Sequence, residues 1–502
     1  MRTPEWLREA VFYEIYPPSF LDSDGDGIGD LNGIRQKLGY VRDLGCNALW
    51  LNPCFDSPFR DGGYDIRDFR RVAPRYGTNE DLRALFREAH ALDMRVLLDL
   101  VPGHTSEEHP WFLESAKAER NAYTDRYVWT DHWIRGIAGY PYVGGEHPRS
   151  GTYMPSFFKF QPALNYGWRA PTESWQHAAD SPAALATREA IADVMRFWLS
   201  LGCDGFRVDM ADSLVKGDDA EKSATCALWR DLLSGIRADY PDAAFVSEWG
   251  HPEQAVRAAG FDMDFYLEHE GNGYNKLIRA RDSYIRSGDP SAFAADYLLR
   301  YAASREDGYI SFITGNHDTP RIGYGLDREQ ARLAYAILFT LPGVPFLYYG
   351  DEIGMRYLPD LPTKEGGYDR TGSRTPMQWD RSPNAGFSAA PAEDLYLPVD
   401  PAPDAPCVSE QLADPGSLLS AVKALLAFRR SQPALRADAP FGMLRADAGD
   451  PLLLYSRGPL VCAANASPLP LRLPALFAGK TPVFTIGTFA EGTLGPRSFA
   501  VL

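Results

Sequence analysis

Residues 187–210, TREAIADVMRFWLSLGCDGFRVDM, combine a helical pattern with a short apolar strand. In the strand part, GFRVDM at 205–210, Arg207 and Asp209 are two positions apart, so their side chains share one face of the strand. A charge pair is unexpected in a strand whose other residues predict that it is buried. A helix followed by such a strand is also the unit that recurs along most of the chain, and that recurrence predicts the fold.

Strand-like and helix-like segments alternate along most of the chain, which predicts parallel strands joined by crossover helices. The predicted strands are 11–16, 47–51, 95–100, 205–210, 244–248, 262–267, 309–314 and 345–350. The predicted helices include 32–45, 78–92, 187–202, 224–238 and 417–435. Eight strand–helix units in roughly 430 residues favour an α/β fold of the closed (β/α)8 TIM barrel type over an open sheet.

Two parts of the chain depart from this alternation. Residues 105–167 are rich in Trp, Tyr, Gly and Pro, which predicts an irregular insertion after the third strand, on the active-site face. Residues 436–502 contain short apolar runs between turn residues, which is typical of a small antiparallel β-domain. We therefore expect a catalytic barrel at 1–104 and 168–435, an inserted domain at 105–167 and a C-terminal domain at 436–502.

The composition excludes several classes of partner. The chain has 67 acidic and 51 basic residues, a net charge of -16, and no run of Lys or Arg, so a nucleic-acid partner is not expected. It contains no run of about 18 apolar residues, and its start, MRTPEWLREA, lacks the apolar segment of a signal peptide. We expect a soluble, cytoplasmic protein without membrane contact. The six cysteines form no CxxC pair, which predicts reduced, mostly buried thiols.

Polar residues stand at or just after the ends of several predicted strands, where the catalytic mouth of a barrel lies. They are Asp99, His104, Arg207, Asp209, Glu248, Asn316, His317 and Asp318. Each alone is compatible with a structural ion pair or a helix cap, but together they converge on one face. Three carboxylates with two histidines and one arginine suit glycosyl transfer, in which one carboxylate attacks and another is the acid/base.

Arg207 offers an explanation for the charge pair in the fourth strand. Its fixed positive charge, on the same strand face as Asp209, would keep that carboxylate ionised and orient it, as a nucleophile requires. The alternative is a purely structural ion pair, but a buried pair is costly to desolvate and contributes little stability. The pattern therefore favours a functional carboxylate at position 209.

Short motifs with residues of this kind recur along nearly the whole chain. They are GIGDLNGI (27–34), GGYDIRDF (62–69), DLVPGHTS (99–106), QPALNYG (161–167), GFRVDM (205–210), SEW (247–249), NHD (316–318), GVPFLYYGDEIGM (343–355) and GSRTPMQWD (372–380). In this number and order they resemble the α-amylase superfamily, glycoside hydrolase family 13. Within that family they are most similar to the oligo-1,6-glucosidase and α-glucosidase branch.

The resemblance implies a retaining α-glucosidase acting on short α-glucosides or oligosaccharides. It makes Asp209 the nucleophile, Glu248 the acid/base and Asp318 the third carboxylate, which orients the sugar hydroxyls and stabilises the transition state. The implied substrate contacts are Tyr64 stacking on the first sugar, His104 and His317 bonding to hydroxyls, Arg207 beside the nucleophile, and Asp61 with Arg374 clamping the non-reducing end. A first subsite closed in this way favours exo attack.

Two positions depart from the family pattern. Gly103 stands where relatives usually have asparagine before the histidine, which affects the local support of His104 and any metal held there. Met210 follows the nucleophile where relatives commonly have valine, alanine or threonine, a position associated with preference for α-1,6 or α-1,4 bonds. A long, flexible methionine fits neither rule, so the sequence leaves the cleaved bond open.

The segment DSDGDGIGD at 22–30 places acidic residues at alternate positions, as a hard cation prefers. It begins like an EF-hand loop, but its twelfth position is Gly33 instead of a bidentate glutamate, so an EF-hand is not expected. The alternative is an acidic, solvated turn. The string is similar to the calcium loop of the same glucosidase branch, which implies a structural Ca²⁺ with ligands from Asp22, Asp24, Asp26, the Ile28 carbonyl and Asp30.

Two other functions remain compatible with these residues. A transglucosidase, a glucoside isomerase or a phosphorylase would use the same covalent intermediate with another acceptor, and GSRTPMQWD also resembles trehalose synthase. A non-catalytic sugar-binding relative is a candidate of another class. The presence of all three carboxylates and Arg207 argues against a non-catalytic protein.

Overall fold

The computed structural model describes residues 3–136, 139–267, 272–477 and 479–502. Its central sheet has eight parallel strands: β1 (Phe12–Ile15), β2 (Ala48–Leu51), β3 (Arg95–Leu100), β4 (Gly205–Val208), β5 (Ala244–Ser247), β6 (Met263–Phe265), β7 (Tyr309–Ser311) and β8 (Phe346–Tyr348). The strands neighbour one another in chain order, and β8 pairs with β1. A parallel bridge between Ile313 and Phe346 joins the segment after β7 to β8 and closes the ring. The predicted eight-stranded barrel is confirmed.

Helices connect the strands on the outside of the barrel. The longer ones are α1 (Leu31–Leu44), α2 (Asn79–Ala91), α3 (Pro182–Leu201), α4 (Ser223–Asp239), α5 (Ser291–Ser304), α6 (Arg328–Leu338) and α7 (Leu418–Ser431). Shorter helical segments are Pro110–Ser115, Glu253–Ala259, Asn275–Arg279, Tyr284–Ser287 and Val408–Ala413. The boundaries follow local chemistry: Thr78 caps α2 in a capping box with Asp81, and α3 ends at Gly202, whose φ is 112°.

The four residues of β4 are all buried, although one of them is Arg207. Gly205 begins this strand at a φ of 143°, and a Cβ there would lie 1.9 Å from the carbonyl oxygen of Ala244 in β5. Only glycine therefore allows β4 and β5 to pair this closely. The close pairing sets the register in which Arg207 lies opposite Val246 and the strand ends point to the same mouth.

Irregular segments surround the barrel mouth. A hairpin of Phe55–Asp56 and Asp68–Val72 follows β2, and the segment after β3 contains only the helix Pro110–Ser115 and the short strands Val143–Gly144 and Thr152–Tyr153 among its described residues. Two antiparallel sheets follow α7. The strands are Phe441–Arg445, Leu452–Arg457, Leu460–Asn465, Phe484–Ile486 and Ser498–Val501 in one, and Leu471–Arg472, Phe489–Ala490 and Thr493–Leu494 in the other. The irregular insertion and the C-terminal β-structure are as predicted.

Two further features bear on the sequence-based expectations. Within the described ranges, no helix has the length and apolar character needed to cross a lipid bilayer. All six cysteines are buried and free of disulfide bonds.

Candidate active site

One guanidinium group brings three carboxylates together at the barrel mouth. Nη1 of Arg207 lies 2.8 Å from Oδ1 of Asp99, which is in β3, and 2.8 Å from Oδ1 of Asp209, which follows β4. Its Nη2 lies 2.9 Å from Oε2 of Glu248, which follows β5. The arginine side chain is 1% exposed, so these contacts are made away from solvent. The charge pair in GFRVDM is thus part of a larger cluster drawn from three strands.

Asp209 is the most deeply placed of the two carboxylates that follow β4 and β5. Burial raises the pKa of its carboxyl well above the usual value, and the neighbouring Arg207 charge opposes that rise. Met210 follows with a left-handed backbone, φ 41° and ψ 47°, and its N–H donates to Oε2 of Glu248 at 3.0 Å. This sharp turn therefore connects the two carboxylates through a single backbone step.

Asp318 follows β7 and receives two arginines. Nη1 of Arg370 and Nη2 of Arg374 each lie 2.9 Å from its Oδ1. Burial alone would raise the pKa of Asp318, but the surrounding positive charges outweigh it and hold that pKa well below the usual range. Asp318 is therefore ionised across the physiological pH range, and 28% of its side chain is exposed to the mouth.

The expected clamp between Asp61 and Arg374 is corrected by the structure. Asp61 pairs instead with Arg370, whose Nη2 lies 3.3 Å from Oδ1, and it accepts a bond of 2.8 Å from Nε2 of Gln161. Arg374 is 1% exposed and is committed to Asp318 and to the carbonyl oxygen of His317, which Nε contacts at 2.8 Å. The pairing differs because Arg370 is 25% exposed and lies one helical turn earlier in the loop after β8.

Tyr64 and His317 lie side by side next to this cluster, with their rings parallel and 5.3 Å apart. The Tyr64 hydroxyl donates to Oδ2 of Asp99 at 3.0 Å and lies 2.6 Å from Nε2 of His317. Because the single hydroxyl hydrogen goes to the carboxylate, the tyrosine oxygen accepts a hydrogen from Nε2. His317 therefore carries its proton on Nε2.

A buried glutamate supports that proton position on the other side of the ring. Nδ1 of His317 lies 3.0 Å from Oε1 of Glu14 in β1 and 3.0 Å from Nδ2 of Asn52. Burial raises the pKa of Glu14 and lowers that of His317, so both are neutral and Glu14 can donate to Nδ1. Oε2 of Glu14 is buried without a partner among the described residues, an arrangement that a neutral acid tolerates better than a carboxylate.

His104 contacts the same loop but not the carboxylates. Its Nε2 donates to the carbonyl oxygen of Tyr64 at 3.1 Å, and burial lowers its pKa to about 4, so the ring is neutral. At Gly103 an added Cβ would meet only Leu214, at 4.0 Å. The structure thus leaves room for the side chain that relatives have at this position, and the Gly103 carbonyl instead binds Leu164 N at 3.0 Å.

Sequence reasoning missed four residues of the site: Arg370, Gln161, Asn52 and Glu14. Glu14 had a usable signal, because it is an acidic residue within the apolar strand FYEI, as Arg207 is within GFRV. Arg370 lies in the loop sequence YDRTGSR, where two arginines four positions apart could each have been the partner of Asp61. Only the folded loop decides between them.

The acidic segment 22–30 is a compact turn before α1. Carboxylate oxygens of Asp22, Asp24 and Asp30 lie within 4.8 Å of one another. Asp26 is outside this group, and its Oδ1 accepts from the N–H of Ile28 at 2.8 Å. Asp30 also caps α1 by accepting from Gly33 N. Three gathered carboxylates are a donor set suited to a hard cation such as Ca²⁺.

The geometry suits a double displacement on a sugar. Asp209 and Glu248 are two carboxylates on one guanidinium, 10% and 21% exposed at the mouth, so one can attack while the other exchanges a proton. Asp318, Asp61, Arg370 and the His317 ring surround them with hydrogen-bonding groups for hydroxyls. Both Asp61 and Asp318 are tied to the same arginine, which closes one side of the site.

Known proteins share this chain's sequence and fold. The description "Alpha amylase, catalytic domain" matches residues 14–438. Trehalose synthase/amylase TreS of Mycobacterium tuberculosis (strain ATCC 25618 / H37Rv) is 34% identical over 484 residues, covering 87% of this chain and 77% of the relative. Glucan 1,6-alpha-glucosidase of Streptococcus pneumoniae serotype 4 is 33% identical over 500 residues, covering 90% and 89%.

The solved structures agree with these sequence relatives. A variant of isomaltulose synthase from Erwinia rhapontici NX5, in complex with D-glucose, superimposes with a TM-score of 0.82 at 26% identity and covers 99% of both chains. An alpha-glucosyl transfer enzyme, XgtA, gives a TM-score of 0.81 at 29% identity with 100% of both chains covered. The similar proteins thus include a hydrolase by name as well as enzymes named for transfer or isomerisation.

Proposed function

Because the chain belongs to the α-amylase family, glycoside hydrolase family 13, we propose that it is an exo-acting, retaining α-glucosidase that hydrolyses short α-linked glucosides. The observation that carries this proposal is the contact of Arg207 with both Asp209 and Glu248. One buried cation holds two carboxylates from adjacent strands, as a nucleophile and its acid/base partner require.

In this mechanism Asp209 attacks the anomeric carbon of the terminal glucose. Glu248 gives its proton to the leaving oxygen as the glycosidic bond breaks, and a glucosyl ester forms on Asp209. Glu248, now a carboxylate, then takes a proton from water as the water oxygen attacks the same carbon and releases glucose and free Asp209. Two inversions retain the α configuration.

The neighbouring residues hold the sugar during these steps. Asp318, kept ionised by Arg370 and Arg374, accepts bonds from two hydroxyls, and its charge stabilises the positive sugar in the transition state. Nε2–H of His317, set by Tyr64 and Glu14, is free to turn its donor to a hydroxyl when substrate displaces the tyrosine contact. Sugar binding and charge stabilisation thus come from one connected network.

Exo attack is supported by the link between Asp61, Arg370 and Asp318. This link joins the loop after β2 to the loop after β8, and Gln161 of the inserted segment adds a third attachment to Asp61. A chain end fits beside such a wall, whereas a continuing polysaccharide would have to pass through it. The site is therefore expected to hold one glucose unit beyond the cleaved bond.

The experiment that tests the proposal is a product profile over maltose, isomaltose, trehalose, sucrose and kojibiose, followed by chromatography. Release of α-glucose from at least one of them, with turnover of an aryl α-glucoside, is expected. The same profile identifies the cleaved bond, which Met210 leaves open. No turnover of any α-glucoside by the folded protein would favour the sugar-binding alternative.

A second candidate is transfer or isomerisation through the same glucosyl ester. It is favoured by the names of similar proteins, among them TreS and the isomaltulose synthase structure. In that case maltose would give trehalose, or sucrose an isomer, in amounts exceeding free glucose. Addition of phosphate separates a phosphorylase, since only that enzyme would release glucose 1-phosphate.

For the acidic turn we propose a structural Ca²⁺ held by Asp22, Asp24 and Asp30, with Asp26 and the Ile28 carbonyl completing the set after a small rearrangement. The ion would neutralise three carboxylates before α1. A metal bound only by the folded state stabilises it by about 2.7 kcal/mol at a hundredfold excess over its dissociation constant. Chelation should lower Tm without abolishing turnover at low temperature, and Asp24→Ala should remove that sensitivity.

A further inference from the structure

A second cavity, of about 350 Å³, lies apart from the carboxylate cluster. It opens where the strand Asp68–Val72, the start of the helix Pro110–Ser115 and α3 meet. None of the residues that line it contacts Asp209, Glu248 or Asp318. The mechanism described above makes no use of it.

Arg126 in this cavity lacks the partners that a buried guanidinium needs. The group lies over the rings of Trp111, at 4.9 Å, and Tyr123, at 5.8 Å. Its Nη1 is buried without a hydrogen-bond partner, and in the described part of the chain no carboxylate pairs with it. Arginine stays charged in proteins, and an unpaired buried charge is costly.

Other buried arginines of this protein show how the cost is normally met. Arg149 donates from Nη1 to the Ser115 carbonyl at 3.0 Å, and Arg429 donates to the Phe339 carbonyl at 2.7 Å. Arg126 has no such acceptor among the described residues. Burial lowers its pKa, and only tyrosines oppose that effect. The missing acceptor must come from outside the chain.

His109 adds a second unmatched donor to the same cavity. Its Nδ1 accepts from the N–H of Trp111 at 3.0 Å, and burial lowers its pKa to about 3, with a contribution from the Arg126 charge. The ring is therefore neutral with its proton on Nε2. Within the described ranges, Nε2 has no hydrogen-bond partner, although the residue is only 4% exposed.

We propose that this cavity binds a phosphate group, presented either as inorganic phosphate or on a small sugar phosphate. Arg126, His109 and Arg70 line it from three separate segments, and a tetrahedral oxyanion offers enough acceptors for all three, which a carboxylate does not. Arg70, at the rim, also has no carboxylate partner among the described residues. The rim carboxylates Asp68 and Asp193 are exposed, and Asp193 pairs with Arg196 at 3.1 Å.

Isothermal titration of the full chain with inorganic phosphate and with glucose 6-phosphate tests this proposal. One saturable site is expected, and Arg126→Gln should weaken it by about tenfold or more. The matched control is Arg120→Gln, because Arg120 pairs with Asp125 on the surface of the same inserted segment and should leave binding unchanged. Equal affinity for both probes would identify the phosphate alone as the ligand, and tighter binding of glucose 6-phosphate would identify a sugar phosphate.

Absence of binding to the wild-type chain at about 10 mM probe, or equal binding by wild type and Arg126→Gln, would overturn the proposal. Turnover of an aryl α-glucoside and the thermal midpoint report whether each variant is folded. Should Arg126→Gln not fold, Arg126→Lys keeps the charge but loses the forked donor, and weaker phosphate binding is expected there too. The proposal does not depend on the glucosidase activity, since binding is measured directly.

Discussion

Arg370 donates from Nη1 to Oδ1 of Asp318 at 2.9 Å, although 52 positions separate the two residues in the chain. Its Nη2 lies 3.3 Å from Asp61, which follows β2 on another side of the barrel mouth. A single side chain thus fixes the third carboxylate and closes the site. The clamp is therefore a property of three loops that meet at the mouth.

Replacing Arg370 by alanine should open that side of the site. Loss of two charge-assisted bonds is expected to lower kcat/KM for an aryl α-glucoside by about 30-fold to 100-fold. Labelled maltohexaose, which wild type should shorten by single glucose units, should begin to give internal fragments. Arg356→Ala is the matched control, since this exposed arginine of the same loop pairs with Asp404 away from the site. Unchanged products and rate would contradict the clamp.

Asp209→Asn should abolish nearly all turnover while the fold is kept. The amide has almost the same shape but cannot attack the anomeric carbon, so a loss of about 10⁴-fold or more in kcat is expected. Asp212→Asn serves as control, because that half-buried aspartate lies three residues later and pairs with Lys222. Hydrolysis by the Asp209 variant at close to the wild-type rate would sink the assignment.

Glu248→Gln should affect poor leaving groups most. A sugar alcohol needs its oxygen protonated as it leaves, whereas fluoride does not. We expect hydrolysis of maltose-like substrates to fall by about 10²-fold to 10⁴-fold and hydrolysis of α-glucosyl fluoride to fall much less. Parallel kinetics on both substrates are the measurement. Equal losses would argue against Glu248 as the acid.

Two variants of Glu14 distinguish a neutral donor from a buried anion. The amide of Glu14→Gln can donate to Nδ1 of His317 as the protonated acid does, so kcat/KM should stay within about threefold of wild type. Glu14→Leu removes the donor and leaves Nδ1 with Asn52 alone, and a loss of about tenfold to hundredfold is expected, mainly in KM. If the glutamine variant were as impaired as the leucine variant, Glu14 would act as an anion.

Glu352 should make the stability of the barrel depend on pH. Burial raises the pKa of this carboxyl from the model-compound value of 4.5 to about 7, although the hydroxyls of Tyr13 and Tyr40 each donate to it at 2.7 Å. A group whose pKa is raised by folding stabilises the protein below pH 4.5, and that contribution is lost as pH rises through 7. The loss is about 3 kcal/mol in the free energy of unfolding.

The measurement for Glu352 compares thermal midpoints of wild type and Glu352→Gln between pH 5 and pH 8.5. The wild-type midpoint should fall more steeply as pH rises, because the glutamine has no proton to lose. Glu329→Gln, on α6, is the control for a change of net charge. Two parallel curves for wild type and Glu352→Gln would show that Glu352 does not titrate in this range.

The sequence by itself determined the barrel and most of the candidate site. Alternation of strand and helix is a local pattern, and each strand's apolar run is legible without knowing its neighbours. The residues at strand ends could be assigned to one face because the carboxyl ends of parallel strands always meet there. Asp209, Glu248 and Asp318 therefore followed from position along the chain and from the family resemblance.

Only the tertiary structure decided which side chains pair across the mouth. Arg370 and Arg374 are equivalent in sequence terms, and the loop conformation alone gives the first to Asp61 and buries the second against Asp318. Glu14 and His317 are 303 positions apart, so their contact exists only once β1 lies next to the end of β7. Local patterns fix the secondary structure, whereas hydrogen-bond partners depend on distances of a few ångströms between segments that are remote in the chain.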